Sequence, residues 1–317
     1  MGAYDALLTP LTIKHVTFRN RIMGSSHAPA YGKDGKPQER YQLYHEEKAK
    51  GGIGLAMFGG SSSVSIDSPA AMWNQISVGD DSVIPFFKQF SARIHRHGAK
   101  LMCQLTHMGR RARWDSESWF PTIAPSPIRE PAHRSFPKEM EDFDIERVQE
   151  DFAEAARRCR EGDLDGCEFV FTGHITDQFI CPLTNHRTDQ YGGSLDNRMR
   201  FHMEMLAKAR ARVGDDFLLG IRITGDDLLE GGNSMEDFLE ILRRFAASGS
   251  FSNRTTLCPR SAETLAASSP AGPAPATTTL RSGPVERAMI CGMVASRPVA
   301  GFWMQSASPP SQTRSRQ

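Results

Sequence analysis

The chain has 317 residues, of which 39% are hydrophobic and 24% charged, enough to bury the core of one large domain or two small ones. Its formal net charge of +1 argues against a nucleic-acid binder and against a polybasic membrane-surface protein. No apolar stretch approaches the roughly 20 residues of a membrane helix, and the N-terminus lacks a signal-peptide pattern, so we expect a cytoplasmic protein.

Predicted strands and helices alternate along most of the chain. Residues 11–18 have the alternation of a short hairpin. The later predicted elements are strand 21–23, helix 42–50, strand 53–58, helix 83–97, strand 100–105, helix 145–161, strand 166–171, helix 195–213, strand 217–223 and helix 235–247. This order predicts a parallel sheet, either a barrel or doubly wound. No G-x-G-x-x-G follows the first strand, which argues against a dinucleotide-binding sheet.

The composition changes near residue 250. Residues 1–250 carry 31 Lys and Arg against 35 Asp and Glu, whereas residues 251–317 carry seven Arg, no Lys and two Glu. The second stretch is rich in Ser, Pro and Ala and offers little apolar surface to bury. A disordered tail, a proline-rich linker and a frame-shifted translation all fit, and arginine without lysine favours the third. We therefore predict a folded region over 1–249 and a disordered or frame-shifted tail over 250–317.

Polar residues or glycines close or directly follow all five predicted parallel strands. In chain order they are Ser25, Ser26 and His27, then Gly59 and Gly60, then Gln104 and His107, then Gly173 and His174, and finally Arg222. Because a TIM (β/α)8 barrel assembles its active site at the carboxyl ends of its strands, this distribution predicts such a barrel.

Three of these positions suit a planar, heterocyclic ligand. Gly59 lacks a Cβ and lets backbone amides come close, Gln104 offers both a donor and an acceptor, and Arg222 can stabilise an anion. Each also has a structural interpretation. Gln104 could satisfy a loop backbone, and Arg222 could pair with Asp226 or Asp227. Only the set as a whole favours a ligand site.

Neither the histidines nor the cysteines follow a metal-ligand pattern. His27, His107 and His174 follow three strands, but no carboxylate joins them at a matching spacing. His107 is as consistent with a structural role as with a functional one, and His27 could cap a turn. The six cysteines contain no C-x-x-C pair, so we expect buried free thiols and no metal site.

Four stretches of the sequence resemble the old yellow enzyme family of FMN-dependent oxidoreductases. They are LLTPLTIKHVTFRNRIMGSSH (7–27), QLTHMGR (104–110), DQFICPLTNHRTDQYGGSLDNRMRF (177–201) and VGDDFLLGIRIT (213–224). The third is the most specific. The resemblance covers about residues 1–249 and is greatest to the branch containing 2,4-dienoyl-CoA reductase, trimethylamine dehydrogenase and N-methyl amino-acid demethylases.

The resemblance implies a (β/α)8 barrel with FMN at the carboxyl ends of its strands. Matching positions would contact the flavin as follows: Ser25, Ser26 and His27 lining it, Gly59 approaching the ring, Gln104 bonding its pyrimidine edge and Arg222 near N1 and O2. Ala28 replaces the cysteine that tethers FMN in some relatives, so the flavin should be non-covalent. The DQF…YGGS…NR segment after the fourth strand, which includes Arg187, Asp189, Asn197 and Arg198, would order the loop rather than catalyse.

The resemblance places His174 where the dienoyl-CoA reductases carry a tyrosine proton donor. An imidazole there could donate a proton to carbon, act as a base towards an amine or clamp the substrate by a hydrogen bond. A histidine that only holds the loop is the structural alternative. We take His174 as the catalytic candidate.

The family pattern is incomplete after the fifth βα unit. Three further units would have to come from the last 67 residues, where no FMN-phosphate segment matches and Cys258 and Cys291 cannot ligate an iron–sulfur cluster. The expected activity is hydride transfer between NAD(P)H or an N-methylated amine and FMN, with an enoyl compound or another small molecule as acceptor. The alternative is a truncated, flavin-free, non-catalytic barrel fragment. A flavin-free metal hydrolase ranks below both.

Overall fold

The computed structural model describes residues 5–68, 74–112, 120–132 and 134–249. Its strands are β1 (Leu11–Ile13), β2 (Val16–Phe18), β3 (Met23–Gly24), β4 (Leu55–Ser63), β5 (Lys100–Thr106), β6 (Ile123–Ala124), β7 (Lys138–Glu139), β8 (Gly166–Phe171) and β9 (Leu218–Ile223). Its helices are α1 (Asp5–Leu8), α2 (Glu39–Lys50), α3 (Ile84–His95), α4 (Asp142–Glu161), α5 (Ile175–Ile180), α6 (Leu195–Val213) and α7 (Met235–Ala247).

Five strands form one parallel sheet in the order β3-β4-β5-β8-β9. Each new strand is added on the same side of its predecessor, and at least one helix connects each strand to the next along the chain. A doubly wound sheet would instead reverse its strand order at a switch point. The described residues therefore have the architecture of the first five βα units of a (β/α)8 barrel, which confirms the predicted fold class.

Local capping explains where the best-predicted helices begin. α6 and α7 cover the predicted residues because Ser194 and Ser234 accept N–H bonds from Asn197 and Asp237. α4 begins three residues earlier than predicted, because Glu141 forms a capping box with the third residue of the helix.

The prediction that the second parallel strand ends at Phe58 was wrong. β4 continues to Ser63 because Gly59 and Gly60 adopt positive φ values of 110° and 60°. These residues form a bulge, the register shifts between Phe58 and Ser62, and pairing with β5 then resumes. The bulge turns the carboxyl end of β4 towards its neighbours.

Two apolar clusters surround the sheet. The larger lies between the sheet and the helices and includes Phe87, Phe90, Phe152 and Phe201, all fully buried. The smaller joins the β1–β2 hairpin to the first residues of β4 and β9, Leu55 and Leu218. The hairpin therefore closes the amino-terminal end of the sheet and leaves the opposite end for a site.

The cysteines in the described residues are buried free thiols, as expected. They are Cys103, Cys159, Cys167 and Cys181. Among the same residues, none of the helices combines the length and apolar character that crossing a bilayer requires. The predicted tail, 250–317, lies outside the described residues.

Candidate functional site

Gln104 and Arg222 meet at a carboxylate between them. Gln104 Nε2 donates to Glu168 Oε1 over 2.6 Å, and Arg222 Nε donates to the same oxygen over 3.0 Å. The three residues stand on the neighbouring strands β5, β8 and β9, and Glu168 is only 2% exposed. The structure therefore brings these two predicted residues together, and it contradicts the alternative pairing of Arg222 with Asp226 or Asp227.

The register of the sheet explains why Gln104 and Arg222 both reach Glu168. Glu168 stands opposite Gln104 on one side and opposite Gly220 on the other. Arg222 follows Gly220 by two residues and so projects from the same face of the sheet. Because Gly220 has no side chain, nothing separates the Arg222 guanidinium from the Glu168 carboxylate.

Glu168 is the functional candidate that the sequence analysis missed. Its signal was present, since it is the one charged residue in the buried strand 166–171. A carboxylate in such a strand needs a charged or hydrogen-bonding partner. Here it takes one donor each from Gln104 and Arg222. Among the described residues, the terminal amino groups of Arg222 make no hydrogen bond, and its side chain is 24% exposed.

Ser26 and His27, which follow β3, differ in whether their side chains are hydrogen-bonded within the protein. Ser26 Oγ is buried and lacks a hydrogen-bond partner among the described residues. The His27 ring is engaged, with Nε2 2.7 Å from the Tyr44 hydroxyl and Nδ1 3.2 Å from the Ser25 carbonyl oxygen. The Ser26 hydroxyl therefore remains available to a ligand, whereas the His27 imidazole packs towards α2.

Gly59 and Gly60 are explained by contacts within the protein. A Cβ on Gly59 would lie 2.7 Å from the Gln104 carbonyl oxygen, and one on Gly60 would lie 2.2 Å from the His27 carbonyl carbon. The Gly59 N–H donates to the buried Tyr41 hydroxyl over 3.0 Å. These two glycines thus allow the carboxyl ends of β3, β4 and β5 to approach one another closely.

His174 lies at the amino end of α5 and faces β5. Its Nδ1 is hydrogen-bonded to the Thr106 hydroxyl. Burial, the nearby Arg111 cation and His107 together lower the pKa of His174 to about 3. The imidazole is therefore neutral near pH 7, which suits a hydrogen-bonding clamp better than an imidazolium proton donor.

His107 has a structural role. Its Nδ1 accepts the Gly109 N–H over 3.0 Å, so its Nε2 donates to Asp67 over 2.8 Å. Asp67 also accepts from Arg147 on α4, and these partners hold the pKa of the Asp67 carboxyl well below its usual range in spite of burial. No group of three metal-binding side chains occurs among the described residues, so His27, His107 and His174 do not converge there.

The loop after β8 is ordered as predicted. Arg187 donates to Asp189 and to the Met140 carbonyl oxygen over 2.6 Å. Asn197 and Arg198 donate to the carbonyl oxygens of Gly192 and Ile180. These bonds confirm the structural interpretation of all four polar residues, of which Asn197 and Arg198 lie in the first turn of α6. The short helix α5, which begins directly after His174, was not predicted.

Comparison with known proteins gives consistent results. Residues 6–281 match the model of the NADH:flavin oxidoreductase / NADH oxidase family. The chain is 52% identical over 247 residues to a multifunctional alkene reductase/demethylase OYE of Caballeronia cordobensis and 49% identical over 245 residues to a probable N-methylproline demethylase of Rhizobium meliloti (strain 1021). The matches cover 78% and 77% of this chain but 36% of each relative.

A solved structure also matches the fold. A complex of 2-naphthoyl-CoA reductase with 2-naphthoyl-CoA superposes with a TM-score of 0.75 and 28% identity, over 80% of this chain and 40% of that one. The chain thus spans well under half the length of these two relatives and of this structure.

Proposed function

The chain belongs to the NADH:flavin oxidoreductase / NADH oxidase family, and from that premise we propose that it binds FMN non-covalently at the carboxyl ends of the parallel strands. The residues assigned to the flavin are Ser25, Ser26, His27, Gly59, Gln104 and Arg222. We further propose hydride transfer between NAD(P)H or an N-methylated amine and the flavin, with an enoyl compound or another small molecule as acceptor.

The shared carboxylate oxygen of Glu168 is the observation that carries this proposal. It fixes the Gln104 amide and the Arg222 guanidinium side by side, before any ligand arrives. An amide suits the alternating carbonyl and N–H groups of a flavin pyrimidine edge. A fixed guanidinium beside that edge stabilises negative charge on the ring.

The polar groups around this pair also fit the cofactor. The buried Ser26 Oγ, which lacks a partner among the described residues, has an unused hydrogen-bonding capacity that a flavin heteroatom can satisfy. His27 contributes through its backbone, because its ring is held by Tyr44. Ala28 offers no thiol for a covalent tether.

The flavin supplies the redox chemistry when bound, and the protein supplies orientation and electrostatics. Gln104 orients the ring, Arg222 stabilises its negative charge, and His174 holds the substrate as a neutral hydrogen-bonding group. The relatives named for N-methylproline demethylation and for alkene reduction favour an N-methylated amine as donor and an activated alkene as acceptor.

Titration of the purified full-length chain with FMN tests the cofactor assignment, with quenching of flavin fluorescence as the readout. We expect saturable binding that weakens about tenfold or more in Gln104→Ala and in Arg222→Ala. Arg243→Ala on α7, whose side chain is 71% exposed, is the matched control and should bind as the wild type does. Failure of the wild type to bind FMN would instead support the flavin-free fragment.

A further inference from the structure

The imidazole of His174 is held at one of its two nitrogens by the last residue of β5. Thr106 Oγ1 and His174 Nδ1 are hydrogen-bonded to each other. The backbone beside the ring is fixed as well, because the Ile175 N–H donates to the His107 carbonyl oxygen over 2.9 Å. His174 Nε2 has no hydrogen-bond partner among the described residues. The protein thus engages one ring nitrogen and leaves the other unpaired within the described part of the chain.

Thr106 lies on the same face of the sheet as the residues proposed to contact the flavin. It follows Gln104 by two residues on β5, and alternate residues of a strand project from one face. Gln104 is bonded to Glu168, which also accepts from Arg222. The contact between Thr106 and His174 therefore lies on the face that carries these three residues, closer to the carboxyl end of β5.

Burial of Thr106 decides which group donates in this hydrogen bond. Thr106 is fully buried, and His174 Nδ1 is the one hydrogen-bond partner of its hydroxyl among the described residues. If the hydroxyl donates, its proton is satisfied. If Nδ1 donated instead, the hydroxyl proton would be buried without an acceptor, which carries the full desolvation cost of that group. The Thr106 hydroxyl therefore donates, and His174 Nδ1 accepts.

This direction also places the proton of the imidazole. Because the low pKa of His174 leaves its ring neutral near pH 7, one ring nitrogen carries a proton and the other does not. With Nδ1 accepting from Thr106, the proton is on Nε2. A ring in this form can donate a hydrogen bond from Nε2, but it cannot take up a proton there.

We propose that Thr106 is a positioning residue that fixes His174 as the Nε2–H tautomer, an inference whose consequence for catalysis rests on the proposed function. The Thr106 hydroxyl acts through the imidazole and not on the substrate. His174 then contributes one hydrogen-bond donor, which suits an oxygen acceptor of the substrate and does not suit an ammonium group. Of the roles of proton donor, base towards an amine and hydrogen-bonding clamp, this arrangement leaves the clamp.

Nitrogen-15 NMR of the full-length chain, labelled at its histidines, tests the tautomer at pH 7. Protonated and unprotonated ring nitrogens have well-separated chemical shifts, and the His174 signals are identified by their loss in His174→Gln. We expect the wild type to show an unprotonated Nδ1 and a protonated Nε2. A wild-type His174 that carries its proton on Nδ1 would overturn the inference, whatever the variants show.

Thr106→Val tests whether the hydroxyl is the cause. Without this donor the two tautomers of His174 should exchange, so we expect its Nδ1 and Nε2 shifts to move towards each other. Thr106→Ser keeps the hydroxyl and should restore the wild-type pattern. Thr17→Val on β2 is the matched control, because that exposed hydroxyl is bonded to Thr12. Ring shifts in Thr106→Val that equal those of the wild type would mean that Thr106 does not set the tautomer.

FMN titration of the same preparations separates this inference from the proposed function. The NMR measurement needs no flavin. A wild type that fails to bind FMN overturns the flavin assignment, while its ring nitrogens still decide the role of Thr106. Normal FMN binding together with a protonated Nδ1 overturns the role of Thr106 alone.

Discussion

Gln104 and Arg222, on two strands separated by β8, donate hydrogen bonds to the same oxygen of Glu168. A single buried carboxylate thus orients both side chains that we assign to the flavin. Such preorganisation means that the ligand does not have to order these side chains when it binds. It also makes Glu168 a positioning residue, whose effect passes through its two partners.

Glu168→Gln should weaken the hydrogen bonds from Gln104 and Arg222 with little change in side-chain volume. The amide oxygen can still accept from both partners, but it carries no negative charge, so the ion pair with Arg222 is lost and both hydrogen bonds become weaker. We expect unfolding in urea to show a loss of roughly 1–3 kcal/mol, together with weaker FMN binding. Glu240→Gln on α7, at a side chain that is 43% exposed, is the control. A Glu168→Gln protein that binds FMN as tightly as the wild type would show that Glu168 has no positioning role.

Gly60→Ala should destabilise the bulge at the end of β4. Its φ of 60° and the 2.2 Å approach of an added Cβ to His27 both oppose the change, and we expect a loss of about 1–3 kcal/mol in the free energy of unfolding. Gly193→Ala is a matched control, because φ there is 78° but a Cβ would meet nothing within 4 Å. Equal losses in the two variants would mean that backbone strain alone, and not the contact with the β3 end, fixes Gly60.

His45 should make stability depend on pH. It is fully buried on α2, neither ring nitrogen has a partner among the described residues, and burial together with Lys48 and His27 lowers the pKa of its imidazole well below 6.5. Below about pH 6.5 the unfolded chain takes up a proton that the folded chain does not, so stability falls as the pH decreases.

This term alone gives a slope of up to about 1.4 kcal/mol per pH unit below pH 6.5. His45→Phe should remove it, since phenylalanine suits the surrounding rings of Tyr41, Phe58 and Phe90. Denaturant unfolding between pH 5 and 8 measures the difference, and exposed His15→Gln should leave the slope as it is. A variant with the slope of the wild type would contradict the assignment.

His174 should stay neutral across the physiological range. Its ring protons should show no titration by NMR between pH 5 and 8, because the pKa is lowered to about 3. Arg111→Gln removes one cause of the lowering and should move the pKa upwards. A wild-type midpoint near 6.5 would restore the imidazolium proton donor as an option.

Local sequence patterns predicted correctly those helices and strands whose bounds depend on local interactions. Helix 195–213 lies between the Ser194 cap and Gly214, and strand 166–171 is a buried run in which Glu168 is the one charged residue. The extension of β4 does not follow from the sequence, because two consecutive glycines are typical of a strand end, whereas the positive φ values of Gly59 and Gly60 form a bulge. α5 was missed because its six residues are too short to show a helical period.

The contacts in the candidate site join residues that are distant in sequence, and local patterns did not predict them. The types of Gln104 and Arg222 indicated a heterocycle, but their shared partner depends on sheet register, which no local pattern encodes. Likewise, the engagement of His27 by Tyr44 depends on how α2 packs. Sequence therefore predicted which residues gather at the strand ends, whereas the partner of each side chain required the structure.

A crystal structure of the full-length chain grown with FMN tests the central claim most directly. We predict electron density for the isoalloxazine ring at the carboxyl ends of β5, β8 and β9, with Gln104 and Arg222 within about 3.2 Å of its pyrimidine edge and both still bonded to Glu168. A flavin bound elsewhere on the protein, with these two side chains making no contact to it, would contradict the account.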